Sequence, residues 1–345
     1  MFLIFNVGSA SIKWALFNNN LEKQQEESIE FPNFDELSKI INKILEKNKT
    51  KDIAKIGHRV VHGGHVFKQP TRITENTFEK LEEINKLAPL HNPLALQVIR
   101  NCQRKLPKID NFACFDTSFY KDLPQYAANY ALPTELAEEH KIFRYGFHGI
   151  SHQYVANQVA QQLKQPLENL KLITAHLGSG ASLTAIEDAQ PIDTTMGFTP
   201  LEGIIMSTRS GNIDPSIPIF LAQNSEYSLE KIHSILNKES GLLGISGISE
   251  DVRDIITAAE DPDHPRKKQA GLALQMFAYQ IKKQIGAYTV ALGGLDVLVL
   301  TGAVSQSDFI CDMITHSLHK VLGKFAVLKI DTDEELAIAK KIKNL

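Results

Sequence analysis

The chain opens with two apolar runs, Phe2–Val7 and Ile12–Phe17, parted by the polar turn Gly8-Ser9-Ala10-Ser11. That pattern predicts strand, turn, strand. Residues 21–52 are polar and charged, with one helical period from Phe34 to Leu45 carried by Leu37, Ile40, Ile41, Ile44 and Leu45. Ile56–Val61 predicts another strand, which runs into His62-Gly63-Gly64. Helices are predicted over 75–87 and 94–104, with a break at Pro89-Leu90-His91-Asn92-Pro93. Phe112–Phe115 predicts a short buried strand ending at Asp116.

The middle of the chain repeats its beginning. Leu170–His176, the turn Gly178-Ser179-Gly180-Ala181-Ser182 and Leu183–Ile186 again read as strand, turn, strand. Set side by side, FNVGSASIKWAL and AHLGSGASLTAI share the Gly-Ser turn and the second apolar run. The match reads either as a duplicated domain or as two unrelated hairpins. An amphipathic helix over 266–292 closes at Gly293-Gly294. The strand Val297–Leu300 runs into Thr301-Gly302-Ala303, and a last helix over 334–343 takes its N-cap from Thr332-Asp333. Hairpins mixed with helices predict an α/β fold with mixed sheets.

Composition narrows the class. A chain of 345 residues has room for two domains, at roughly 100–200 residues each. With 43% apolar and 22% charged residues it is no disordered chain. Cys102, Cys114 and Cys311 form no CxxC pair, which excludes a cysteine-built zinc site and a disulfide scaffold and fits a reducing cytoplasm. A net charge of -3 gives no electrostatic case for nucleic acid or an anionic membrane. The N-terminus lacks the basic region of a signal peptide. The longest apolar candidate, Leu295–Val304, contains Asp296 and Gly302 and falls short of the roughly 20 residues that cross a bilayer. A cytoplasmic protein is expected.

Several clusters carry chemistry. In the first turn, backbone N–H groups, the Ser9 and Ser11 hydroxyls and the Lys13 ammonium suit phosphate oxygens, although a plain polar hairpin fits as well. Arg59 sits in an apolar strand, where a guanidinium needs a partner. Either an anionic substrate or an internal carboxylate would serve. His58, His62 and His65 are scattered by strand alternation and do not read as a zinc set. Asp116 at a strand end suits a Mg²⁺ ligand or a water-positioning group. His148, flanked by Gly146 and Gly149, is free to aim its ring from a loop. Arg209, in the polar stretch Asp193–Pro215, reads as a second anion clamp. Arginines, a lysine, a carboxylate and two glycine turns are the parts that phosphoryl transfer needs.

These segments closely resemble the acetate/propionate/butyrate kinase family. NVGSASIK, GHRVVHGG, APLHNP, FDTSFY, RYGFHGISH, AHLGSGAS, DTTMGFTPLEG, TRSGNIDP, SGLLGISG and TDEELAIA occur in the family's order. The resemblance implies a two-domain actin-like fold, that of acetate and sugar kinases, heat-shock cognate protein and actin, ribonuclease H-like in its mixed sheets. Residues 1–119 with 334–345 would form one domain and 120–333 the nucleotide domain, with the active site in the cleft. It implies reversible transfer of the ATP γ-phosphoryl group to acetate, with Mg²⁺ or, in its place, Mn²⁺. It further implies a homodimer and a functional link to a phosphate acetyltransferase. By motif position, Arg59, Asp116, His148 and Arg209 would be catalytic. Val61, Leu90, Phe147 and Pro200, with Arg59, would line the acyl pocket. Ser9, Ser11, Lys13, His176, Gly178, Ser179, Gly180, Gly302 and Ala303 would meet phosphates and nucleotide. Asn6 and Glu334 would serve the metal, with Glu335 the one-residue alternative.

The chain departs from the family pattern at Ala10, His65 and Ser179, and the glycine-rich adenosine loop reads Gly302-Ala303-Val304-Ser305-Gln306-Ser307. Three alternatives follow: a propionate or broader short-chain acyl kinase, a donor other than ATP, and a non-catalytic nucleotide-binding regulator. The chain is also short for the family between Lys13 and His58, away from the identified chemistry, and between Gly302 and Glu334.

Overall fold

Alternation in the first hairpin decides which side chains reach which face. Strands β1 (Phe2–Val7) and β2 (Ser11–Phe17) pair antiparallel, with Phe5 opposite Trp14 and Asn6 opposite Lys13. Leu3, Phe5, Val7, Ile12, Trp14 and Leu16 enter one core with the helices Phe34–Asn48 and Asn92–Lys105. Phe2, Ile4, Ala15 and Phe17 enter a second core with the helix Glu334–Lys343. Successive side chains point to opposite faces, so a sheet covered on both sides reads as unbroken apolar runs.

The computed structural model describes residues 1–8, 11–48 and 51–345. Two units emerge: Met1–Lys121, Phe147–Tyr154 and Asp333–Leu345 form the first, and Asp122–Gly146 with Val155–Thr332 the second. The first unit's sheet adds β3 (Lys23–Glu30), β4 (Lys55–Val60), β5 (Thr71–Arg72) and β6 (Asp110–Phe115), in the order β3-β2-β1-β4-β6-β5. Within it β1, β4 and β6 run parallel to one another.

The second unit's sheet holds β7 (Leu172–Leu177), β8 (Ala181–Glu187), β9 (Gln190–Thr194), β10 (Val297–Thr301) and β11 (Ala326–Lys329). Its order is β11-β10-β7-β8-β9, with β7, β8 and β9 antiparallel in succession and β7, β10 and β11 parallel. The series β3-β2-β1-β4-β6 has the same sequence of parallel and antiparallel pairings. The repeated Gly-Ser hairpins therefore occupy equivalent places in two sheets of one topology, which favours the duplication over two unrelated hairpins.

The apolar periods fall on observed elements. The break before 94–104 is the first turn of its helix, since Asn92 and Pro93 start it and proline needs no N–H there. The predicted helix over 75–87 ends at Glu83 and continues as a 3₁₀ turn, Asn85–Leu87. Asp333 caps the last helix by accepting the Leu336 N–H at 2.8 Å. Strands β3, β9 and β11 had no expectation attached. β3 is an edge strand, exposed at most positions, and carries no apolar alternation to read. The three cysteines are free and buried, and among the described residues no helix is long and apolar enough to cross a membrane.

Two positions on β4 give testable consequences. A β-carbon on Gly57 would lie 2.7 Å from Ile338 Cγ2 and 2.9 Å from Ile4 Cδ1. Gly57→Ala should cost about 1–3 kcal/mol by overpacking, and less in an Ile338→Ala background, as read by denaturant unfolding. Equal cost in both backgrounds would refute the contact.

His58 donates from Nε2 to Asn111 Oδ1 at 2.8 Å, and its buried Nδ1 has no hydrogen-bond partner among the described residues. Burial therefore pushes its pKa down to about 4, against the raising effect of Asn111. The neutral ring is favoured in the folded chain. Its contribution, on the order of 3 kcal/mol, is whole above the unfolded pKa near 6.5 and is lost as pH falls toward 4. His58→Gln should flatten the stability profile in that window, and an unchanged slope would count against this account.

Candidate active site

Arg59 projects from β4 and its partner is internal. Nε donates to Asp116 Oδ1 at 3.0 Å and Nη2 to Oδ2 at 2.6 Å, a two-pronged pair. Nη1 donates to Asn6 Oδ1 at 3.0 Å and lies 3.3 Å from Glu334 Oε2. The two partners left open by the sequence thus resolve to the carboxylate at the end of β6. Asn6, on β1, donates from Nδ2 to Glu334 Oε2 at 2.7 Å and to Glu335 Oε1 at 2.8 Å. Lys13 on β2 completes the set, with Nζ 3.0 Å from Glu335 Oε2 and 2.9 Å from Glu26 Oε1.

Three buried carboxylates, Asp116, Glu334 and Glu335, thus surround Arg59 and Lys13. Burial opposes the charge on Arg59 and on Lys13, but the neighbouring carboxylates outweigh it, so both pKa values lie above their ordinary range. Burial raises the Asp116 carboxyl, against the pull of Arg59 and of the His148 backbone N–H. Two cations facing three carboxylates leave surplus negative charge of hard oxygen character, which suits Mg²⁺. Among the described residues no group of three or more His, Cys, Asp or Glu forms a ready cage. Mg²⁺ does not require one, because it usually takes one or two carboxylates together with substrate phosphates.

His148 stands beside Asp116 in an unusual backbone state. Its φ is +54°, in the left-handed region, and its N–H bonds the Asp116 carboxylate. Such a conformation costs of order 1–3 kcal/mol in a non-glycine residue. Gly149 permits it, since a β-carbon there would overlap the Asp116 carbonyl oxygen. Phe147 is buried, edge-on to His62 at 5.3 Å, and its carbonyl accepts the Tyr120 hydroxyl. Asn92 holds His62 by accepting its N–H and donating to its carbonyl. Val61 and Leu90 flank that pair in sequence, Val61 buried and Leu90 half-buried. Ser11 accepts the Gly8 N–H through its carbonyl at 2.8 Å. Ser9 lies outside the described residues.

In the second unit the parallel strands β7 and β10 end side by side, with Thr301 opposite His176. The turn Gly178-Ser179-Gly180 follows one and the loop Gly302-Ala303 the other. Gly302 has a φ of +88°, and a β-carbon on it would lie 2.6 Å from the Leu177 carbonyl oxygen. Loops at the carboxyl ends of parallel strands are the usual ligand sites of α/β sheets. The departures in this loop find partners within the protein. Ser305 donates back to the Gly302 carbonyl at 2.7 Å, Gln306 bonds Asp331, and Ser307 caps the helix Asp308–Thr315.

Arg209 differs from Arg59 in one decisive respect. Nη1 donates to the Pro200 carbonyl at 3.1 Å and reaches Met206 Sδ at 3.8 Å. Among the described residues no carboxylate pairs with it, and burial alone lowers its pKa. The loop around it is clasped from outside. Ser207 N–H bonds the Ser179 carbonyl, and Leu242 N–H bonds that of Met206. Gly241, at φ +63°, has no room for a β-carbon beside the Met206 and Arg209 carbonyls.

Glu26 lies outside every motif of the sequence. The interval between Lys13 and His58, where the chain is short for the family and no chemistry is expected, holds β3, which brings Glu26 onto Lys13. An acidic pair following Lys13 in the next polar segment was the available signal. Glu335 was read only as an alternative to Glu334, and in fact both meet Asn6.

A sequence profile of the Acetokinase family matches residues 17–344. The acetate kinase of Thermoanaerobacter pseudethanolicus is 45% identical over 317 residues, spanning 86% of this chain and 78% of the relative. The acetate kinase of Dictyoglomus thermophilum is 40% identical over 392 positions, spanning 98% of this chain and 97% of the relative. That alignment is longer than this chain's 345 residues, so the relative has segments that this chain lacks. A solved propionate kinase from Francisella tularensis subsp. tularensis is 35% identical, with a TM-score of 0.89 over 100% of this chain and 99% of its own. The two α/β units with mixed sheets therefore have the fold of acetate and sugar kinases.

Proposed function

The chain belongs to the acetokinase family, and from that premise we propose that it transfers the γ-phosphoryl group of ATP reversibly to the carboxylate of acetate. The observation that carries this reading is Arg209, a partly buried guanidinium without a carboxylate partner among the described residues. Such a group is built to receive an anion. Both substrates are anions, so the chief obstacle is their mutual repulsion.

An acetate oxygen attacks the γ-phosphorus in line. The new O–P bond forms as the bond to the β,γ-bridging oxygen breaks, and ADP leaves with that electron pair. No protein nucleophile is required, because the acetate oxygen is already charged. Arg209 orients acetate and the transferring group, and Arg59, fixed by Asp116, adds positive charge that does not shift during the reaction. His148 donates to the equatorial oxygens. Lys13, Ser9 and Ser11 meet phosphates, as do His176 and the turns Gly178–Gly180 and Gly302–Ala303. Asn6 and Glu334 would serve Mg²⁺, with Asp116 near it. Bound Mg²⁺ would neutralise phosphate charge. Val61, Leu90 and Phe147, all in the first unit, would meet the acyl group. One methylene changes such discrimination by only about 1–3 kcal/mol, so propionate is the second acceptor to measure, and the Francisella relative's name favours including it.

A homodimer is part of this proposal. The helix Ser216–Asn224 is apolar yet largely uncovered, with Ile217 44%, Ile219 58% and Phe220 62% exposed, and a second copy would cover it.

Purified protein with acetate, Mg²⁺ and ATP should yield acetyl phosphate, trapped as the hydroxamate, with GTP and pyrophosphate run in parallel. Arg209→Ala and Arg59→Ala should each lower kcat at least about 100-fold. Absence of product with every donor would overturn the reading, and product from pyrophosphate alone would overturn ATP as the donor.

A further inference from the structure

Three side chains of the second unit form a closed network that the proposed reaction does not use. The Tyr130 hydroxyl donates to Glu202 Oε2 and accepts the Phe198 N–H at 2.7 Å. Arg144 donates from Nη2 to Glu202 Oε1 at 2.8 Å. Its remaining nitrogens are spent on the carbonyls of Ala127, Thr194 and Thr195 at 3.1–3.3 Å. Four of the five guanidinium N–H groups are thus engaged within the protein. Both Glu202 oxygens are likewise engaged. Gly197 lies against the pair, and a β-carbon there would overlap Glu202 Oε2 and the Tyr130 oxygen. Its carbonyl accepts the Tyr145 N–H at 3.0 Å.

The network fixes the short loop from Gly197 to Glu202, which carries Pro200. The Pro200 carbonyl is the one oxygen bonded to Arg209 among the described residues. Beyond Glu202, Gly203 and Asn212 exchange two hydrogen bonds of 2.8 Å, closing the loop that contains Arg209 at its base. The guanidinium is therefore aimed from one side by a carbonyl whose own place depends on Glu202. We propose that Glu202, anchored by Tyr130 and Arg144, is the positioning residue that sets the Pro200 carbonyl and, through it, the Arg209 guanidinium toward the anionic substrate. This rests on the reading of Arg209 as the anion-binding arginine.

The test uses the full chain and two independent measurements. In steady-state assays Glu202→Gln should raise the KM for acetate at least about tenfold and leave that for ATP within about twofold. In an Arg209→Ala background the same substitution should cost less than about twofold more, because its route is already cut. A full additive loss would assign Glu202 a merely structural role and overturn the proposal. By hydrogen exchange, amides of 203–212 should exchange at least about tenfold faster in Glu202→Gln, with those of β7 and β8 unchanged. Unchanged exchange in 203–212 would also overturn it. The exchange measurement decides the matter even if the wild type makes no acyl phosphate, a result that would instead remove the functional reading. Should Glu202→Gln fail to fold, Tyr130→Phe removes a single anchor and carries both measurements, with smaller shifts in the same direction.

Discussion

The site of the first unit depends on the two-pronged pair between Arg59 and Asp116. Removing Arg59 would leave the fully buried Asp116 without its two-pronged partner, the expensive case for an internal ion pair, whereas removing Asp116 would leave Arg59 with Glu334 as its counter-charge. Their positions follow from the sheet. β4 and β6 are parallel neighbours, with Val60 opposite Phe115, so the arginine near one strand end and the carboxylate just past the other come within reach. Asn6 ends up beside them because β1 is the next strand over. The C-terminal helix then delivers Glu334 and Glu335 from the far end of the sequence, and Gly57 lets it settle against the sheet. Three strands distant in sequence thus converge through backbone pairing and the helix through apolar packing, and the side-chain bonds lock what these have already placed.

The two arginines show two solutions to burying a cation. Arg59 is paired in advance, and its charge is permanent scaffolding. Arg209 is held by a carbonyl dipole and, among the described residues, has no carboxylate partner. Arg144 provides the control within the same chain: it is also partly buried, but Glu202 and three carbonyls satisfy it. Openness at Arg209 is therefore not a general habit of arginines in this protein.

Much of the fold was legible because both sheets are covered by helices, which leaves continuous apolar runs at β1, β2, β7 and β10. The polar edges were not legible: β3 offers only Ile29 and β9 is short, and neither must exclude water on both sides. The glycine turns and His148 could be singled out from residue type, since Gly149 marks a backbone approach that no side chain permits. The positive φ of His148 could not, because it arises from contact with Asp116. The same limit applied to Arg59. Sequence demanded a partner, and only the register of β4 with β6 identifies which. Glu26 escaped because its segment looked like loop.

The open guanidinium of Arg209 has a consequence for how affinity is divided between protein and ligand. Desolvating a cation without a counter-charge is unfavourable, so the ligand-free protein holds free energy in that side chain. An anion bound at Arg209, as proposed, would remove the penalty. Part of its affinity is thus supplied by relief within the protein and not by contacts on the ligand. A neutral molecule of the same shape, such as acetamide, would fill the same space and gain none of it. Selectivity for charge over shape would in this sense be built into the position of one side chain.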